Sequence, residues 1–223
     1  ATAQAGIIRM GLTTAATTLT YTGSGHSSNR LIGMQGTTGG VTLNADGSGA
    51  ISYGGARFEN AGNKNLTLGG AADSALINSI GGLSELGGVM SLIKTGGSTW
   101  QLSAANNHSG ATTVSEGILS ITNSGALGTT AAGTSVGTGG VLQVSNNVSV
   151  TGEALTLTSG AGGSATLSNL SDSNTWTGNL TVDTGADASN RAVLNSDAGN
   201  LLISGSINLS SGTQDFVLRG DGN

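Results

Sequence analysis

Carboxylates, histidines and hydroxyls are the residues of this chain that could do chemistry. There is no cysteine, which removes thiolate nucleophiles, thiolate metal ligands and a disulfide framework. Glycoside hydrolysis needs two carboxylates ~5–10 Å apart. A polysaccharide lyase needs several acidic oxygens around Ca²⁺, beside a basic residue. The closest approach to either set is Asp183 and Asp187, with Asp172 one or two turns of chain earlier and Arg191 nearby. No Asp-Asp pair or tight acidic cluster occurs, so these four read as solvated turn residues rather than catalytic ones. His26 and His108 are the only histidines, far apart in sequence and without Asp or Glu at ligand spacing. A metal site is therefore not expected. No Gly-x-Ser-x-Gly stretch sits on a strand–helix turn, as a nucleophile elbow would.

The glycine-rich pieces offer no cofactor site. Gly36-Thr37-Thr38-Gly39-Gly40 lacks the lysine and the following helix of a phosphate loop. Asp46-Gly47-Ser48-Gly49 and Asp221-Gly222-Asn223 echo Ca²⁺-binding repeats but are not iterated. Arg219-Gly220-Asp221 spells a tripeptide that some integrins read. In so glycine-rich a chain, a polar corner after the strand Asp215–Leu218 accounts for it.

What positions these residues follows from composition and pattern. The 223 residues include 40 Gly and no Pro, with 9% charged and 3% aromatic. An ordinary domain carries about 25% charged residues and about 7% Gly. Chains so polar and glycine-rich are often disordered, but here the apolar residues are patterned. The net charge is −5, and the seven Lys and Arg are scattered, so no nucleic-acid partner is expected. No apolar run approaches the ~18 residues of a membrane helix, so no membrane insertion is expected. No charged and then apolar leader opens the chain, so no signal peptide is expected.

Helical periodicity is nearly missing; only Ala71–Ile77 could form one short helical turn. Period-2 alternation recurs instead, as in Leu66-Thr67-Leu68, Trp100-Gln101-Leu102, Leu119-Ser120-Ile121, Leu155-Thr156-Leu157 and Leu180-Thr181-Val182. Each such segment turns two apolar side chains inward and a polar one outward. Gly, Asn and Ser follow, and they supply the turns. Apolar pairs every ~10 residues, with a full rung of about 20–25, are a solenoid pattern. The fold class expected is all-β, a β-solenoid (parallel β-helix) of about ten rungs with almost no helix. Uncharged Thr, Ser and Asn on its outer face can stack without like-charge repulsion.

An internal repeat sharpens this. Asn106–Val114 aligns with Asn174–Val182 at an offset of 174 − 106 = 68 residues, sharing N-x-[HW]-[ST]-G-x-x-T-V. The structural repeat positions are Trp100, Leu102, Asn106, His108, Gly110, Val114 and Leu119, and then Asn174, Trp176, Gly178 and Val182. His108 and Trp176 share one position, where a flat ring would pack over a corner. Residues 1–60 form a β-rich segment expected to continue into the solenoid of 61–223, whose repeats are clearest at 92–121 and 169–182.

Leu92-Ile93-Lys94-Thr95-Gly96-Gly97-Ser98-Thr99-Trp100-Gln101-Leu102, followed by Asn106 to Leu119, resembles the autotransporter-associated β-strand repeat, or passenger-associated transport repeat. Trp100 stands where the family has an aliphatic residue, and His108 where it has another aromatic. The resemblance implies a right-handed parallel β-helix in the exported part of a longer bacterial surface protein. It also implies an extracellular or cell-surface location and a structural rather than catalytic role. Three roles remain open. One is a stalk or fibre subunit, able to self-associate end to end. Another is an adhesin recognising a glycan or host surface through exposed aromatics such as Trp176. The third is a polysaccharide-active enzyme using Asp183 and Asp187.

Overall fold

The computed structural model describes residues 6–12, 14–185, 187–210 and 215–220. The fold is an all-β parallel solenoid, with no helix among these residues. The path of the main sheet runs through ten strands: Ile7–Met10, Leu31–Met34, Gly49–Phe58, Ile77–Ser84, Thr99–Leu102, Gly117–Ile121, Gly140–Val144, Ser164–Asn169, Arg191–Ser196 and Phe216–Gly220. Ser24–Ser27 pairs beside that path with Gly49–Phe58. A second sheet of nine strands runs from Thr17–Tyr21 to Ile207–Leu209, and a third holds Ser149–Val150, Ser173–Trp176 and Asn200–Ile203. The expected ten rungs are close to this arrangement.

Strand registers fix the rung length. Leu102 pairs with Ile121 (121 − 102 = 19) and Tyr53 with Ile80 (80 − 53 = 27), so a rung takes 19 to 27 residues. The variation is absorbed in the corners, because strand pairing must stay in register to keep apolar side chains inside. In the second sheet the inward column reads Leu19, Leu43, Leu68, Lys94, Val114, Val136, Leu157, Val182 and Leu209. The outward column one residue earlier reads Thr18, Thr42, Thr67, Ile93, Thr113, Ser135, Thr156, Thr181 and Asn208. That column carries no charge over nine rungs, so neighbours about 4.8 Å apart do not repel.

The core is one narrow column of aliphatic side chains from Met10 to Leu194. Two tryptophans interrupt it. Trp100 lies flat against Tyr53, with ring centroids 6.5 Å apart and planes 10° apart, and its indole donates to the Gly69 carbonyl at 2.9 Å. Polar residues that enter the core bridge neighbouring rungs. Asn78 accepts from Ile51 N (3.0 Å) and donates to Thr99 O (2.9 Å). Asn169 donates to Ser196 Oγ (3.0 Å) and Ala198 O (2.8 Å).

One local expectation is corrected. Ala71–Ile77 is not helical. Asp73 caps a tight turn, accepting Ala75 N on its side chain (2.9 Å) and Leu76 N on its carbonyl (2.9 Å), and Ile77 begins a strand. The Asp side chain competes with helical pairing by satisfying the backbone locally.

Candidate functional site

The two repeat copies place equivalent residues at equivalent corners. The Asn106 side chain accepts from Leu83 N at 2.8 Å, and that of Asn174 from Val148 N at 2.6 Å. In both copies the asparagine thus satisfies a backbone N–H of the preceding rung. Its own amide then donates, in Asn106 to Ala126 O of the following rung at 2.5 Å, and in Asn174 within its own corner to Ser171 O at 2.6 Å and to the Asn169 side chain. Gly110 and Gly178 turn the next corner against the rung below. A Cβ at Gly110 would lie 2.5 Å from the Met90 carbonyl oxygen, and one at Gly178 would collide with the carbonyl of Glu153. Val114 and Val182 point inward from the second sheet, and Trp100, Leu102 and Leu119 from the main sheet.

His108 and Trp176 are both buried between these corners. The Trp176 indole donates to the Glu153 carbonyl at 2.9 Å. His108 Nε2 lies 3.2 Å from Thr112 Oγ1, while Nδ1 has no hydrogen-bond partner. Burial holds the His108 pKa below its ordinary value, and nearby Glu85 pulls weakly the other way. Because Trp176 is only 1% exposed, it cannot serve as a stacking platform for sugars. Trp100, Tyr53 and Phe58 are buried as well, while Tyr21 and Phe216 are partly buried and pack against the core.

Two buried lysines hold corners closed. Lys94 is fully buried and donates to the carbonyls of Thr95 (2.7 Å), Gly96 (2.6 Å) and Glu116 (3.1 Å), tying one rung to the next. Burial brings its pKa down to about 8, partly offset by Glu116. Lys64 donates to Asn60 O and Gly62 O and sits 3.9 Å over the Phe58 ring. The alternation Leu92-Ile93-Lys94 was the signal for the first, since it turns Lys94 inward with Leu92. Glu153, also buried, accepts from Thr134 Oγ1 at 2.8 Å. Burial raises its pKa, and the Thr134 bond lowers it in part.

The acidic candidates are not gathered. Asp183 accepts from Ser210 Oγ (2.9 Å) and Gly185 N (3.3 Å), and Asp172 from Ser171 Oγ (2.8 Å) and Asn146 N (3.1 Å). Asp187 is exposed and accepts from the Ser189 hydroxyl and amide, which lower its pKa. Arg191 pairs with Asp215 at 2.9 Å instead. No hydrogen bond joins any two of these four. Gly133–Gly137 does spell Gly-x-Ser-x-Gly, but Ser135 lies in a strand and donates to Thr113 Oγ1 at 3.4 Å, so it is no elbow. His26 lies in the exposed strand Ser24–Ser27. Asp221 of the Arg-Gly-Asp stretch, and all of Asp221–Asn223, lie outside the described residues. Among the described residues no three His, Asp or Glu side chains are placed to hold a metal ion. No helix there is long and apolar enough to cross a membrane.

Residues 92–121, which contain the buried lysine clamp, Trp100, the asparagine bridge and the close-packed glycine, match the family described as passenger-associated-transport-repeat. The chain carries an autotransporter passenger repeat. No curated protein and no solved structure matches the chain. The passenger-associated transport repeat is a structural repeat and not a known enzyme family, and it fits a place at the cell surface or outside the cell. Its features in this molecule agree with that character. Lys94, Trp100 and Asn106 each bond to a neighbouring rung.

Proposed function

We propose that the chain is a rigid shaft within a surface-displayed or secreted bacterial protein. The observation that carries this reading is the unbroken parallel pairing of the main sheet from Ile7–Met10 to Phe216–Gly220. Each rung contacts only its neighbours, so the array transmits force along its axis through in-register hydrogen bonds. Electron microscopy of the protein from its native source, without refolding, tests it. Straight rods of constant width are expected; compact globular particles would sink the reading.

A specific observation favours a fibre-forming form of the same role. At the end nearest Phe216–Gly220, Leu202, Ile207, Leu209 and Leu218 are 44–71% exposed. Leu202, Ile207 and Leu218 line a shallow apolar depression. A further β-rung of a second copy would cover these side chains and pair the last strand. Leu209→Lys with Leu218→Lys should then leave the circular dichroism unchanged and abolish filaments. Filaments of undiminished length in that variant would rule out assembly through this end.

A further inference from the structure

The outer face of the main sheet carries a groove of about 570 Å³ that crosses its last three strands. We propose that this groove binds an acidic oligosaccharide, a chain of carboxylate-bearing sugars, along the side of the solenoid.

Its floor is Val193, which faces outward between Thr166 and Val217 and is nevertheless only 5% exposed. Arg191 stands toward one end of the groove and Arg219 toward the other. Arg219 pairs in register with Asn195, so the two arginines are separated by four strand residues, about 13 Å. These are two of only seven Lys and Arg in a chain of net charge −5. Arg191 gives its Nε to Asp215 and is half exposed. The Arg219 residue is exposed, and its guanidinium makes no hydrogen bond or ion pair among the described residues. A guanidinium without a partner presents a planar fork that suits a carboxylate.

At the Arg219 end of the groove the polar groups are already held in place. Asn195 donates to Asp197 Oδ1 at 2.6 Å and to Ser168 Oγ at 3.2 Å, and Ser168 in turn donates to Asp197 Oδ2 at 3.1 Å. Both amide hydrogens of Asn195 are thereby engaged, which leaves its carbonyl oxygen to accept from a ligand hydroxyl. Asp197 likewise offers acceptor capacity to hydroxyl donors. Asp197 and the net negative charge also decide against dense polyanions such as nucleic acid, which would meet repulsion along the whole groove. A ligand with sparse carboxylates, many hydroxyls and an apolar ring face fits the two arginines, the Asn195–Asp197 rim and the Val193 floor together. This inference does not rest on the shaft reading, and either can fail alone.

Titration calorimetry of the chain with trigalacturonate, with maltotriose as the neutral control, tests it. Saturable binding is expected for trigalacturonate only. It should weaken at least tenfold in Arg219→Gln and fall as salt is raised. Arg219 is exposed, so the variant should keep the wild-type circular dichroism. No binding of trigalacturonate by the wild-type chain would overturn the proposal, as would binding unchanged in Arg219→Gln. Competition by inorganic phosphate at equal strength would mark a general anion site and overturn it equally.

Discussion

Asn106–Val114 and Asn174–Val182 share a nine-position pattern but not a conformation. In the second copy, Asn174 and Trp176 lie in the strand Ser173–Trp176, paired on one side with Ser149–Val150 and on the other with Asn200–Ile203. In the first, Asn106 and His108 lie in irregular chain, and the next rung passes as the turns around Ser124–Gly128. The asparagine bridge and the close-packed glycine survive in both. What differs is the ring. Trp176 satisfies its one N–H, whereas His108 buries a nitrogen without a partner. The corner is thus specified by Asn and Gly, which act on backbone groups of the rung below. The ring only fills volume, and a strand forms around it only where adjacent rungs offer strands to pair with.

The largest effect should separate the two rings. Trp176→Ala should cost about 4 kcal/mol, as removal of a buried indole does. His108→Ala should cost about 2 kcal/mol or less, because a smaller ring leaves and an unsatisfied nitrogen leaves with it. Denaturant midpoints with unchanged slopes would measure both. Equal losses would break the comparison. Next in size are the shared glycines. Gly178→Ala should cost about 3 kcal/mol and Gly110→Ala somewhat less, since backbone cannot yield as a side chain does. A neutral Gly178→Ala would mean that the corner is looser than its packing against Glu153 implies.

The copies also show what was legible in the sequence. Alternation located strands such as Leu155–Thr158 and Leu180–Asp183, because one face is aliphatic and the other is Thr. It did not register Ile77–Ser84, where Asn78 and Gly81 break the apolar pattern, nor the exposed strand Ser24–Ser27. Asn78 is a core residue only because the backbone of two other rungs meets its amide, and those rungs are 27 and 21 residues away. Glu153 escaped for the same reason, since its partner Thr134 lies in the preceding rung, and so did the Lys94 bond to the Glu116 carbonyl, although alternation already turned Lys94 inward. The groove between Arg191 and Arg219 depends on register as well, since the two lie 28 residues apart in sequence (219 − 191 = 28).

Acidification sharpens the comparison further. The folded-state pKa of His108 is lower than its unfolded value, so the unfolded chain takes up a proton first. Stability should be fully present above about pH 6.5 and should decline as pH falls below it. Thermal unfolding followed from pH 7.5 to 5 should show this decline, and His108→Phe should flatten it. An identical decline in the variant would assign the acid sensitivity elsewhere. No such dependence is expected of the second copy, whose ring does not titrate.

Glu153 gives the smallest effect and the opposite sign. Its carboxyl is buried beneath the second copy, where its backbone carbonyl takes the Trp176 indole and its side chain takes the Thr134 hydroxyl. Burial raises its folded-state pKa, so the folded chain holds the proton more firmly than the unfolded one. Its contribution is therefore fully present below the ordinary glutamate range, about 4.3, and is lost as pH rises through the raised value. Glu153→Gln keeps an acceptor for Thr134 and removes the buried charge. At pH 7 the variant should be more stable by about 1 kcal/mol, and the gain should close toward pH 4. A loss of stability at pH 7 would show that the carboxylate is better solvated than its burial suggests. The second copy would then hold its tryptophan over a polar pocket.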